Sequence, residues 1–445
     1  MKVFLSLLIA LLLTGAVNGQ NWNQFRGPDQ TGIIDGFEIP TEWNADENMK
    51  WKVPNPGKGW SSPIVWGDRI FITASRLKGS EENLNRMGYD PSRLSRDNEF
   101  MLDVVCFDKN SGEMLWRQTA FDGYPNITTH SGSPYSTETP VTDGKLVFAH
   151  FGTMGLYAYD FEGELVWKKD LGIYEMDGDW GTGTSPILYE GNLYMQVDNV
   201  DFSALIALDA STGKEVWRVN REEGPNRGTP MIWRNGLRTE LVTQGAIARS
   251  YNPANGELYW QIDMEGGRSS STPVGDSDRL IIANEKRGGG GFMFSIRAGA
   301  SGDISLAEGE TSNDGVEWKN PNGGIAMSSP LMYRGKVYAF ERRTGMVSCY
   351  DAKTGDVFYY RTHLPNAREF WSSPWAYEGN IYCIDGNGIT HVLDSGPEFN
   401  EVRQNVLDDQ IWAMPAMTPG SIILRGAEYL YSIESKGEDE SLLSN

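Results

Sequence analysis

The apolar positions of this chain fall into short, strand-length runs punctuated by Gly, Asp and Asn, and one way of starting a run keeps returning. A pair of small residues, a proline and two apolar residues occur as "SSPIV" at Pro63, "ETPVT" at Pro140, "TSPIL" at Pro186, "GTPMI" at Pro230, "STPVG" at Pro273, "SSPLM" at Pro330 and "SSPWA" at Pro374. A weaker eighth copy is "AMPAM" at Pro415. Proline donates no ladder bond, so within a sheet it belongs at an edge, a bulge or the first residue of a strand. The motif therefore marks strand entrances. Successive prolines are 77, 46, 44, 43, 57, 44 and 41 residues apart, and most of these spacings match the length of a four-stranded propeller blade.

After each entrance the pattern predicts a turn and a second strand, as in "GDRIFITAS", "EGNLYMQVD" and "EGNIYCIDG". A third strand then enters a tight turn and leaves as a fourth strand that carries a large aromatic. The glycine of that turn stands four residues before a tryptophan in Gly112 to Trp116, Gly163 to Trp167, Gly213 to Trp217 and Gly256 to Trp260. Glycine there supplies the positive φ of a hairpin, and the tryptophan is expected to fill the wedge between neighbouring blades. Fourth strands recur at Trp318, at Tyr359 and around Val402, which makes seven for eight entrances. The missing one precedes the first entrance, as "MKWKVP" from Met49 to Pro54. The expectation is an all-β, eight-bladed β-propeller of four-stranded blades over 49–435, its ring closed by this N-terminal strand so that no sheet edge is left open. A seven-bladed ring with a stray hairpin is the alternative.

Composition narrows the class. With 51 glycines and 11% aromatics in 445 residues the chain suits a turn-rich β protein, and a formal net charge of -21 disfavours nucleic acid as a partner. The first nineteen residues resemble a secretory signal, with one lysine, an apolar core from Val3 to Leu13 and small residues to Gly19. That core is too short for a membrane-spanning helix, and no comparable apolar run follows it. The chain is thus expected to be exported, periplasmic or secreted, as a monomer, with an extension over 20–48 and a polar tail over 436–445. Cys106, Cys349 and Cys383 lie far apart in strand-like runs, as buried thiols rather than a disulfide framework, and none is placed to carry a lipid anchor.

The "AxDxxTGxxxW" form, clearest from Ala207 to Trp217, together with the proline entrances and the "NWNQFRGP" opening at Asn21, resembles the pyrroloquinoline-quinone-like (PQQ-like) β-propeller repeat proteins. The resemblance covers Asn21 to Ser435. It implies either a BamB-type scaffold of the outer-membrane assembly machine or a quinone-dependent dehydrogenase. The dehydrogenases resemble one another in an adjacent cysteine pair over the quinone, and no Cys-Cys occurs here. Their calcium ligands find no residue-by-residue match either, so neither PQQ nor calcium is expected as a cofactor, and no metal or catalytic residue is assigned. The departure from the BamB type is the missing anchor cysteine.

In a propeller the loops entering the inner strands share a face with the loops joining second and third strands. The entrance loops here carry Trp60, His130, Asp179, Trp180, Arg227, Arg268, Asn322, Trp371 and Trp412. Indoles and guanidiniums dominate binding hot spots, so this face is the expected dock for a protein or glycan ligand, against the plainer reading that each tryptophan caps its own blade. The glycine run of "EKRGGGGF" joins strand to strand and reads as a hairpin, not a phosphate loop. "MDGDWGTG" and "DNVD" lack the ligand spacing of a calcium loop. Two insertions interrupt the period: Arg76 to Phe100, a charged segment on the docking face that reads as a tolerated surface loop ahead of a lid or partner arm, and Ala298 to Trp318, a lengthened turn on the opposite face. The balance favours a binding or scaffold protein, with a quinone-dependent or carbohydrate-active enzyme as the alternative.

Overall fold

The computed structural model describes residues 21–435 except 80–97, 131–132, 134, 268, 287–289 and 326. The signal-like segment, the C-terminal tail, Arg268 and most of the first insertion lie outside these residues. Eight sheets form eight blades around one axis. Their inner strands are Ile64–Trp66, Val141–Thr142, Ile187–Tyr189, Met231–Arg234, Val274–Gly275, Leu331–Tyr333, Trp375–Tyr377 and Ala416–Thr418, numbered here as blades 1 to 8. Each blade runs outward by antiparallel hairpins, as blade 1 does through Arg69–Leu77, Phe100–Asp108 and Met114–Gly123. Blade 8 takes its outer strand from the other end of the chain, since Met49–Pro54 pairs antiparallel with Tyr429–Glu434. Among the described residues no helix is long and apolar enough to cross a membrane.

The fourth-strand tryptophan does more than fill a wedge. In all eight blades the ladder skips the residue just before the aromatic position, namely Leu115, Val166, Val216, Tyr259, Glu317, Phe358, Val402 and Lys50. Such a bulge puts two residues opposite one and re-aims the side chain that follows. The indole then reaches the next blade. Trp51 Nε1 donates to Lys109 O of blade 1, Trp116 to Phe161 O of blade 2, Trp167 to Ala210 O of blade 3, Trp217 to Pro253 O of blade 4 and Trp318 to Ala352 O of blade 6, at 2.8–3.0 Å. The receiving turn presents its glycine against the ring: a Cβ on Gly213 would lie 2.7 Å from Trp167 Cε3, and one on Gly112 2.8 Å from Trp51 Cδ2. The turn glycine is therefore required twice, by its positive φ and by the indole lying on it.

Around the axis a second contact repeats. The residue before the proline offers its hydroxyl to the backbone N–H of the matching residue in the preceding blade: Ser62 N to Thr139 Oγ1, Thr139 N to Ser185 Oγ, Ser185 N to Thr229 Oγ1, Thr272 N to Ser329 Oγ and Ser329 N to Ser373 Oγ, at 2.9–3.1 Å. Blade 8 has Met414 at this position. There Arg425 takes over the junction, its Nη1 donating to Ser61 O at 3.1 Å and to the Ser61 hydroxyl.

The extension ahead of the propeller, described from Asn21, carries no repeat motif, and it plugs the axis. An inner strand presents unpaired N–H groups to the channel, and a buried donor left unpaired is costly. The N–H two residues after the proline is satisfied by the plug in five blades: Val65 by Trp22 O, Thr142 by Asn23 O, Leu188 by Gln24 Oε1, Ile232 by Gln30 Oε1 and Ala376 by Gly32 O, at 2.8–3.1 Å. Arg26 is 1% exposed and spans to blade 6, with Nη1 on Pro330 O at 2.9 Å and Nη2 on Thr31 O at 2.7 Å. Ile33–Ile34 then adds a parallel strand to blade 7. The insertion after Ala298 also departs from a plain lengthened turn: Gly302–Asp303 pairs in parallel with Leu258–Asp263 and covers the outer edge of blade 4.

Two glycines separate the effects of strain and contact. Gly191 has φ +77 with nothing within 4 Å of an added Cβ, whereas Gly213 has φ +67 beneath Trp167. Gly191→Ala is expected to cost about 1–2 kcal/mol, from the left-handed backbone alone. Gly213→Ala should cost about 1–3 kcal/mol more, from overpacking against the indole. Urea unfolding of the two variants checks this, and equal losses would remove the docking contact as a source of stability.

Candidate functional site

Six of the residues singled out in the entrance loops line one cavity of ≈ 280 Å³ at the mouth of the axis: Trp60, His130, Trp180, Arg227, Trp371 and Trp412. Thr139, Ser185, Thr229 and Ser373, whose hydroxyls tie the blades together, line it with Ser62, and Phe25 of the plug lines it from the axis. Asp179 lies in a short 3-10 turn, Asp177–Asp179, beside the cavity. Arg268 is outside the described residues. Asn322 is not brought to the mouth and sits in the loop after Val316–Asn320, in a separate cleft with Trp318 and Tyr360.

The tryptophans are ordered by one another. Trp412 is sandwiched between Trp60, at 4.4 Å between centroids and 24° between planes, and Trp371, at 4.6 Å and 21°. The stack thus bridges the entrances of blades 1, 8 and 7. Arg342, from the loop joining the second and third strands of blade 6, places its guanidinium 5.4 Å from the Trp371 ring centroid. Across the mouth His130 stacks on Trp180 at 4.6 Å and 2°. Burial lowers the His130 imidazole from its ordinary pKa. Arg227 fixes the segment carrying Trp180, with Nε on Gly181 O at 2.9 Å and Nη2 on the Asp177 carboxylate at 3.1 Å.

Sequence reasoning missed three residues of the mouth. Arg342 and Glu285 line the cavity from loops between second and third strands; no motif marked the first, and the second opens the segment "EKRGGGGF" that reads in sequence as a plain hairpin. Glu138 stands inside an entrance motif, "ETP", and is 2% exposed. Its Oε1 accepts a 2.5 Å hydrogen bond from the hydroxyl of Thr182, a residue of the cavity wall. Desolvation pushes the Glu138 carboxyl up to about 7, although the Thr182 bond opposes the shift. A charged residue among Ser and Thr at a strand entrance was the available signal.

A plugged eight-bladed propeller with an aromatic mouth belongs architecturally with the PQQ-like propellers. The family model described as outer membrane protein assembly factor BamB matches residues 101–228 and 163–396, more than half of the chain, and the chain belongs to that family. BamB from Moraxella catarrhalis has the same fold at TM-score 0.55 and 10% identity, over 87% of this chain and 99% of that one. Quinohemoprotein alcohol dehydrogenase from Comamonas testosteroni aligns at TM-score 0.59 and 11% identity, over 96% of this chain and 82% of that one. In sequence, tetrathionate hydrolase of Acidithiobacillus ferrooxidans is 21% identical over 360 residues, 76% of this chain and 57% of that one. The chain spans between 20% and 57% of the length of the curated relatives it matches.

The quinoprotein relatives pose the question of PQQ and calcium at this mouth. Cys106, Cys349 and Cys383 are single, buried thiols in blades 1, 6 and 7, raised by burial above the ordinary thiol range. Among the described residues no group of three or more His, Cys, Asp or Glu side chains is placed to hold a metal ion. What converges at the mouth is indole, hydroxyl and guanidinium.

Glu138 makes the fold sensitive to pH. Its folded pKa of about 7 lies above the ordinary 4.5, so its protonated form is favoured on folding. Stability from this group is complete below pH 4.5 and falls by about 3 kcal/mol as pH rises to 7, then levels off. His150, drawn down to about 4 by burial, acts oppositely as pH falls below 6.5, but that contribution is common to wild type and variant. The stability advantage of Glu138→Gln over wild type is therefore expected to grow between pH 4.5 and 7, read by urea unfolding across that range. A difference that does not change with pH would refute the assignment.

Proposed function

We propose that this chain is an exported binding protein of the BamB type that docks a partner on its mouth face without carrying out chemistry on it. The observation that carries the reading is the convergence of aromatic and guanidinium groups from six entrance-loop residues on one cavity lined at the axis by Phe25. Such a mouth is a socket. Its wall groups are engaged with one another: Trp412 between two indoles, His130 on Trp180, Arg227 on Gly181 O and Asp177, Thr182 on Glu138. Rigid aromatic surface of this kind costs little conformational entropy on binding and suits a hot spot. The family's description as an assembly factor supports a protein as the partner, and the signal-like start of the chain supports export.

Capture of partners from an envelope extract by the full chain and by Trp371→Ala and Trp412→Ala tests the reading. Each variant is expected to retain less than a tenth of the captured partner while unfolding cooperatively. Undiminished capture would move the dock elsewhere on the ring. Thermal melting with PQQ and calcium is expected to leave the midpoint unchanged, and a saturable rise would favour the quinoprotein alternative over a binding role.

A further inference from the structure

The segment that fills the axis belongs to no blade. Each of the eight sheets has its four strands without it, and Met49–Pro54 completes blade 8 on Tyr429–Glu434. Ile33–Ile34 is an addition to a blade 7 that already has its own four strands. A short hinge separates this segment from the rest of the chain: Asp35 and Gly36 are exposed, and a Cβ on Gly36 would meet nothing within 4 Å. Beyond the hinge the chain is fastened to blades 8 and 7, where Glu38 O accepts from Gly420 N at 2.8 Å and Trp43 N donates to Asn405 Oδ1 at 3.4 Å.

The contacts within the axis are those of a bound peptide. They reach six blades, at Val65, Thr142, Leu188, Ile232, Pro330 and Ala376. Trp22 is 3% exposed and exchanges both backbone hydrogen bonds with Val65, at 2.8 and 2.9 Å. Gln30 is buried and stands in for a peptide group, its Oε1 accepting from Ile232 N at 2.9 Å while its Nε2 donates to Pro230 O at 3.1 Å. Gln24 Oε1 accepts from Leu188 N at 3.1 Å, and Arg26 crosses to Pro330 O at 2.9 Å. A buried indole anchor, backbone pairing and carboxamides on main-chain groups are how a strand-like peptide is held by a sheet edge.

On the ring side every one of these partners is inner-strand backbone, so the ring presents the same donors and acceptors whatever lies in the channel. Water can satisfy them when the channel is empty. The hinge adds proximity alone: a short tether raises the local concentration of the segment to roughly millimolar and contributes none of the contacts.

We infer that the propeller axis is a peptide-binding site and that residues 21–34 are its tethered ligand. The ligand is an extended segment read through Trp22, Gln24, Arg26 and Gln30, and the same sequence supplied in trans replaces it. This role stands apart from the docking proposed for the mouth, and neither depends on the other. They meet at Phe25, which the ligand carries and which lines the cavity from the axis. Release of the ligand therefore takes the floor of the mouth with it.

A specific protease recognition sequence placed between Gly36 and Phe37 of the full chain allows the hinge to be cut after folding. The N-terminal fragment is expected to stay with the ring through gel filtration, and the cut chain to melt cooperatively. In urea below the unfolding midpoint, a fluorescein-labelled peptide of residues 21–34 is expected to replace the fragment with saturable anisotropy. Unlabelled peptides carrying Trp22→Ala or Gln30→Ala should compete at least tenfold less well than the intact sequence, as loss of a buried anchor or of two buried hydrogen bonds would. A scrambled peptide should not compete. Loss of the fragment on the first column overturns the inference, because the segment is then held by its tether. Loss of cooperative melting on cutting overturns it too, since the segment is then part of the fold of the ring and not a ligand of it. Equal competition by intact, substituted and scrambled peptides does the same, by reducing the binding to nonspecific adhesion.

Discussion

The ring holds because at five of its eight junctions a blade hands an indole to the next. A lone four-stranded sheet has two hydrophobic faces and two open edges, and it buries neither face by itself. The bulge before each aromatic position turns the side chain sideways, and the carbonyl and glycine of the neighbouring turn receive it, as with Trp167 on Ala210 and Gly213. The hydrogen bond fixes the angle of approach, and the bare glycine fixes the distance. Repeated from blade 8 through blade 3, this contact sets the pitch of the ring, so the aromatic at one radius decides where the hydroxyls meet at another. Where the pattern fails the structure finds a substitute: Trp260 donates to Glu240 of its own sheet, and in blade 7, where Arg403 holds the aromatic position, the extension brings Trp43 into the cluster shared with Tyr382 and Val392.

The axis is organised by the opposite need. Inner strands cannot pair with one another around so tight a circle, and their N–H groups face inward. The plug answers with carbonyls and amide side chains, using Gln24 and Gln30 where its backbone does not reach. Arg26 is the cost of this arrangement, a cation that among the described residues is held in the interior by two carbonyls. The mouth cavity inherits its floor and part of its field from that segment.

The blade count and the ring's closure were legible because they rest on local chemistry repeated many times: proline at a strand start, glycine in a hairpin, tryptophan at a fixed offset. Trp60, Trp371 and Trp412 were legible as mouth residues for the same reason, being fixed relative to the entrance prolines. The plug was not, since no periodicity marks a segment that fits one place once. Glu138 and Arg342 were hidden because their character comes from burial and from neighbours on other blades, and neither leaves a trace in spacing. The hydroxyl before each proline was visible as a small residue, while its bond to the adjacent blade is a property of the assembled axis alone.

The three stacked indoles come from the first blade and the last two. Trp60 is among the earliest residues of the propeller to be synthesised and Trp412 among the latest, and both stand at the seam that Met49–Pro54 and Arg425 close. A chain whose last blade is unsealed would have the same aromatic residues without the contact between Trp60 and Trp412 that completes the stack. The mouth therefore exists only on a finished ring, and whatever binds there is informed, by the act of binding, that both ends of the chain have met.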